Sequence, residues 1–313
     1  MPASSKKALL GAAAANLAVA ATKFVVGALT QSSVMISEGI HSLVDCGNAG
    51  LMLFGEARSR RPADAKHPFG YGMELYFWST VVTMVVFGGG GGLSIYEGIH
   101  ALLHPRQISS IWPNYAVIGA AAVFEGTSLV VAVRELRTYR REKRIAGSVY
   151  AVMRASKDPS IFVTVLEDSA ALIGLAIAAL GVTLSHFLGM PVFDAVASLL
   201  IGLMLIVEAI FLGVECRELI IGETARPRVV VDLRDVLRRH AELGELEDLR
   251  TLQLGPDAVL AVLRMRFPPE MDVRTLRELT ERLERELRRD APLVKHVVFD
   301  ITPGAPIASL PCA

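Results

Sequence analysis

His41 and Asp45 stand four residues apart in the stretch SEGIHSLVDCGN, Ser37 to Asn48. On a helix this spacing puts an imidazole and a carboxylate on one face. Together they are good ligands for zinc or a similar divalent cation. Glu38 and Asn48 fall on the same stripe, roughly 80° wide at about 100° per residue. The stretch lies inside an apolar run from Val34 to Phe54, long enough to cross a bilayer core of about 30 Å. Ionisable groups at that depth cost about 2.5–3.5 kcal/mol each on insertion scales, and they mark an ion path or a buried site.

Two donors do not complete a tetrahedral shell, so another span must supply the rest. The best source is FVTVLEDSAALIG, where Glu167 and Asp168 are adjacent carboxylates and Thr164 lies one turn before Asp168. One His and two Asp would neutralise a divalent cation and remove most of the cost of holding it in a membrane. Without the cation, two close carboxylates tend to share a proton, so metal arrival expels protons. A lone His on a membrane helix is often only a packing residue. The acidic pair on a second span is what favours an ion site here. Glu97, Glu125 and Glu208 are weaker candidates, equally suited to helix–helix hydrogen bonds or interfacial positions. Lys23 is expected to snorkel towards the outer surface. Gly88 to Gly92 suit close helix packing or flexing, and lack the strand–turn–helix context of a phosphate loop. In the loop Asp64 to Gly72, a rigid turn is favoured over a weak surface metal site built from Asp64 and His67.

The elements that must position these groups follow from hydropathy. Six candidate spans run from about Ala8 to Leu29, Ser33 to Glu56, Leu75 to Leu103, Tyr115 to Val133, Ile161 to Leu188 and Phe193 to Val214. The first is read as a retained span and not a signal peptide. Lys6, Lys7, Arg58, Arg60, Arg61 and Lys66 lie on one side. So does the cluster Arg134, Arg137, Arg140, Arg141, Lys143, Arg144, Arg154 and Lys157. The opposite loops carry only Arg106. The positive-inside rule then makes both termini cytoplasmic, in the cell (inner) membrane. After Ala225 the chain turns polar. Val229 to Leu243 reads as a helix, Leu246 to Leu254 and Ala258 to Phe267 as strands, Val273 to Arg289 as an amphipathic helix and Val294 to Ile301 as a last strand. The expected organisation is a transmembrane domain over 1–222 and an αββαβ α+β domain over 223–313.

A formal net charge of +0 gives no basic surface for nucleic acid. Cys46, Cys216 and Cys312 are too scattered for a disulfide framework or a thiolate metal site. No enzyme is expected. The H-E-x-x-H string of a metalloprotease is absent. An aspartyl pair of Asp45 and Asp168 would leave His41 and the basic loops without a role.

These residues resemble the cation diffusion facilitator family of zinc transporters over nearly the whole chain. The carrying motifs are HSLVD (His41 to Asp45), HPFGYG (His67 to Gly72), YEGI (Tyr96 to Ile99) and the acidic stretch with Asp168. SEGIHSLVD, EGTSLVVAVRELR and KDPSIFVTVLEDSAALIG look like the branch that includes the mitochondrial zinc exporter of animals. The resemblance implies a homodimer, six spans per subunit and a cytosolic ferredoxin-like domain that helps dimerisation. It also implies that zinc, or another divalent cation as substrate, is exchanged for protons by alternating access, with no prosthetic group. His41, Asp45 and Asp168 are the ligands it carries over. Most of the family has His or Asp where this chain has Thr164, so the fourth position falls to water, Glu167 or Glu125. In the tail, Glu247, Arg264 and Asp300 stand where zinc-binding members have His, which implies a dimerisation module and a poor metal sensor. The alternative is a transport-inactive regulator or scaffold of the same family.

Overall fold

A computed structural model of the chain describes residues 3–143, 152, 156–240, 245–267 and 271–301. Arg144, Arg154, Cys312 and the end of the first tail helix at 241–243 lie outside the described residues. The described residues fall into two compact units. One takes in the stretches up to Ala57, from Leu75 and from Asp158 to Arg217. The other takes in Arg58–Glu74, the residues up to Lys157 and those from Glu218.

The first unit is helical because apolar segments must satisfy their own backbone groups in a membrane. Its long helices are α1 (Ala3–Thr30), α2 (Ser33–Ser59), α3 (Glu74–Leu103), α4 (Trp112–Lys143), α5 (Pro159–Leu188) and α6 (Val192–Ile221). Four of them, α3 to α6, are long and apolar enough to cross a membrane. Over Val86–Gly92, the sequence VFGGGGG, α3 widens into a π-helical segment. A Cβ on Gly91 would come within 2.5 Å of Ile206 Cγ1 and 3.0 Å of Gly202 O. The glycine run therefore lets α3 lie against α6, as the packing reading of those residues expects.

Asp194, in the first turn of α6, fixes where α2 begins. Its carboxylate accepts Ser33 N at 2.5 Å, Val34 N at 3.3 Å, Ser33 Oγ at 2.7 Å and Ser32 Oγ at 2.6 Å. The unsatisfied amides that open a helix are normally capped from the preceding residue, and here another helix does it.

The second unit orders its elements as α7 (Pro227–Arg238), β1 (Glu245–Gly255), β2 (Ala258–Arg266), α8 (Val273–Asp290) and β3 (Val294–Asp300). The sheet order is β1-β2-β3, with β1 antiparallel and β3 parallel to β2. Alternation puts Val259, Ala261, Leu263 and Met265 into a core with Leu233 and Val236 of α7 and Leu283 and Leu287 of α8. Asp272 caps α8 by accepting Thr275 N at 2.9 Å.

Charge pairs stitch this unit. Asp290 receives Arg289 at 2.9 Å and Arg239 at 2.5 Å, and these guanidiniums hold its carboxyl down to about 2. Glu286 is lowered as well, chiefly by its hydrogen bond to His240. A carboxyl depressed by folding contributes stability that is present above the ordinary range near about 4 and is lost as pH falls through the folded value. Urea resistance of this unit should therefore fall between about pH 4 and pH 2. A variant carrying Arg239→Ala and Arg289→Ala should lose less over the same interval.

The loop at 58–74 belongs to this unit. Asp64 accepts the amides of Lys66 at 2.9 Å and His67 at 2.7 Å, and the Tyr71 hydroxyl at 2.7 Å. The Tyr71 bond is the main reason that its carboxyl sits below the usual range. Arg61 lies 5.0 Å over the Tyr71 ring. His67 Nδ1 is 3.8 Å from Asp64 Oδ1, so the rigid turn describes this loop better than a metal site. Phe69 meets His296 of β3 edge-on at 5.1 Å. Gly72 lies against the β1–β2 turn, where a Cβ would stand 2.4 Å from Leu254 O.

Candidate metal site

Helix spacing places the expected donors on two elements. In α2, His41 and Asp45 are one turn apart, with His41 Nε2 3.4 Å from Asp45 Oδ2. In α5, Thr164, Glu167 and Asp168 share about one turn. Asp45, Thr164, Glu167 and Asp168 all line one cavity of about 240 Å³, together with Asn16, Ser42, Glu125 and Ser128. A water molecule occupies about 30 Å³ in the liquid, so this space has room for a cation and several waters. The lining draws on α1, α2, α4 and α5, all within the first unit.

The donors share a cavity but do not form a coordination shell. Among the described residues, no three His, Cys, Asp or Glu side chains converge closely enough to hold a metal ion. The three α5 donors each have a different present partner. Glu167 Oε1 accepts Asn48 Nδ2 at 2.8 Å, and Asp168 Oδ2 accepts Ser128 Oγ at 2.8 Å. Thr164 Oγ1 donates to Ser160 O at 3.0 Å. His41 is 1% exposed, with no hydrogen-bond partner on either ring nitrogen. A buried imidazole without partners has unused ligating capacity beside Asp45. His41 is not among the side chains lining the cavity.

The stripe of polar residues on α2 divides its work. Asn48 orients Glu167, and Glu38 turns to α1 and pairs with Lys23 at 2.8 Å. This corrects the expected snorkelling of Lys23. The side chain is fully buried and also donates to Ser42 Oγ at 2.7 Å. A carboxylate one helix away satisfies an ammonium better than a stretch to a distant interface would. Reading Lys23 alone hid this, whereas a basic residue in one span and an acidic one in the next could have suggested it. Ser128, which holds Asp168, gave no signal because a serine in an apolar helix is unremarkable in sequence. Glu208 of α6 carries both carboxylate oxygens buried without a hydrogen-bond partner. It acts electrostatically on Asp45 and Glu167.

Comparison with known proteins places this arrangement. A family model described as the cation efflux transmembrane domain matches residues 9–221. The chain belongs to the cation efflux family. It is a multi-pass membrane protein by that membership and by its apolar helices. Among its relatives is the human mitochondrial proton-coupled zinc antiporter SLC30A9, 31% identical over 316 residues that take in 89% of this chain and 55% of the relative. Metal tolerance protein C4 of Arabidopsis thaliana is 29% identical over 280 residues, 90% of this chain and 61% of the relative. The magnetosome protein MamM of Paramagnetospirillum magneticum is 26% identical over 275 residues, 87% and 80% respectively. The chain thus spans about half the length of the animal relatives it matches. In this cation efflux protein the matched segment contains all five candidate site residues, His41, Asp45, Thr164, Glu167 and Asp168.

Proposed function

We propose that this protein exports a divalent metal cation, zinc first, from the cytoplasm in exchange for protons by alternating access. The observation that carries the reading is that carboxylates from two helices, Asp45 of α2 and Glu167 and Asp168 of α5, line one cavity in a cation efflux protein. The names of the zinc antiporter and metal tolerance relatives favour the same cargo class. His41, Asp45 and Asp168 hold the cation, with Glu167 or water beside Thr164 filling the last position. Ser128 of α4 and Asn48 of α2 each hydrogen-bond one oxygen of Asp168 and Glu167, which orients these carboxylates and leaves their second oxygens for the cation. Protons return on the same carboxylates once the cation leaves.

The reading extends to the rest of the chain. The helices α1 to α6 form six spans in the cell membrane, with both termini and the basic loops cytoplasmic. Residues 1–222 form the transport domain, and 223–313 form a ferredoxin-like domain through which two copies pair. That domain is a poor metal sensor. Arg264 and Asp300 pair at 2.7 Å, and Arg266 pairs with Glu247, so the side chains at these positions are already engaged with one another.

Zinc added to proteoliposomes of the full chain should drive proton movement. Silence with zinc, manganese, cobalt and iron alike would overturn transport in favour of a regulatory member of the family. Thr164 lines the cavity with a neutral oxygen, so Thr164→His should add a nitrogen donor and tighten zinc relative to manganese by about tenfold, read by calorimetry. An unchanged metal preference would show that this position takes no part in holding the cation.

A further inference from the structure

Lys23 and Glu38 are both fully buried in the helical unit, and a buried ion pair is seldom justified by stability alone. Replacement by apolar residues of similar volume is often neutral or stabilising. The position of this pair is more telling than its strength. Ser42, the second acceptor of the Lys23 ammonium, lines the cavity that holds Asp45 and Asp168. The ammonium is therefore one side chain from the cavity wall that Asp45 and Glu125 also line, and the paired Glu38 carboxylate opposes its effect on Glu125. Glu38 keeps Oε1 buried without a hydrogen-bond partner, directed at α5, where a Cβ on Gly174 would stand 2.6 Å from it. The pair thus touches α1, α2 and α5, and the last two carry the candidate donors.

We infer that Lys23 sets the cation affinity of the cavity, as a resident positive charge clamped by Glu38 and Ser42 that competes with the divalent cation for the field of Asp45 and Glu125. This rests on the cation-transport reading above and adds to it a residue outside the ligand set. At an effective dielectric of about 20, one fixed charge near the site changes the affinity for a divalent ion by roughly tenfold or more. An exporter gains from such a charge. It weakens the hold on a cation that four carboxylates would otherwise retain, and it offsets their mutual repulsion when the cavity is empty.

The consequence is a pair of opposite signs. Lys23→Met removes the repulsion and leaves Glu38 facing the donors, so zinc binding should tighten by about tenfold. Glu38→Gln is isosteric, leaves the ammonium unopposed, and should weaken zinc binding by about tenfold. Lys23→Arg keeps the charge and should bind as the native chain does. A pair that only held the helices together would weaken binding, or leave it unchanged, in both neutralising variants.

The test is zinc titration of the detergent-purified full chain by calorimetry, the native protein first. Binding by the native chain, with Lys23→Met tighter and Glu38→Gln weaker, establishes the assignment. Native binding with both variants weaker, or both unchanged, overturns it and leaves the transport site standing. No native binding of zinc, manganese, cobalt or iron overturns the site reading and this inference together. If Lys23→Met fails to fold, Glu38→Gln decides alone: about tenfold weaker supports the inference, and unchanged or tighter overturns it.

Discussion

Asp45→Ala is expected to abolish zinc-driven proton flux while leaving the protein as stable as before, or more so. Asp45 is the one carboxylate that both lines the cavity and stands beside the unpartnered imidazole of His41. In the proposed site its loss would remove an anionic ligand and separate the nitrogen donor from the oxygen donors. Disturbing the groups around a metal ligand already costs about 10–100-fold in affinity, so deletion of a ligand should exceed that range. Stability should move the other way, because Asp45, Glu167 and Glu208 repel one another in a low-dielectric setting and the variant relieves them. The measurement is flux in proteoliposomes beside a melting curve of the same preparation. Native flux in the variant would remove Asp45 from the site. Lost flux with a collapsed melting curve would mean that the residue holds the fold.

Gly72→Ala should cost the sheet-containing unit a large part of its stability. The new Cβ would lie 2.4 Å from Leu254 O and 3.2 Å from Gly255 Cα, and both obstacles are backbone. A flexible side chain could swing away, but a strand-turn carbonyl cannot move without breaking β1–β2 register. Overpacking of this kind costs about 1–3 kcal/mol. The loop should then leave its seat, and trypsin should cut after Arg60 or Lys66 faster than in the native chain. Gly126→Ala is the control, since nothing lies within 4 Å of that Cβ position. Equal cleavage in both variants would show that the loop is not held there.

Much of this architecture could be read from the sequence because its signals are local. Hydropathy marks the long helices, and the alternation in AVLAVLRMR marks β2 with its inward Val259, Ala261, Leu263 and Met265. Helical periodicity fixes which side chains share a face, and of the residues so marked Asp45, Thr164, Glu167 and Asp168 line one cavity while His41 stands beside it. What stayed out of reach depends on how helices meet. Nothing in the sequence around Asp194 shows that its carboxylate caps α2, since its partners Ser32 and Ser33 are 162 and 161 residues away. The burial of Lys23 is out of reach for the same reason. Snorkelling is the default for an isolated lysine, and Glu38 is visible as its partner only once α1 and α2 are side by side. Ser128 and Asn48 could not be told from packing residues until Asp168 and Glu167 were placed against them.

The seat of the HPFGYG loop bears on how shortened forms of this protein should be interpreted. Residues 58–74 connect α2 to α3, but their neighbours are Leu254, Gly255 and His296, far along the chain. Cutting at 222 therefore does more than detach a module. It also strips Phe69 and Gly72 of the surface they rest on and frees the connection between two helices of the retained part. A shortened form that transports poorly would be equally well explained by a slack α2–α3 hairpin as by loss of pairing between copies. The two causes separate only if the cut chain is compared with a full-length chain in which the loop alone has been unseated.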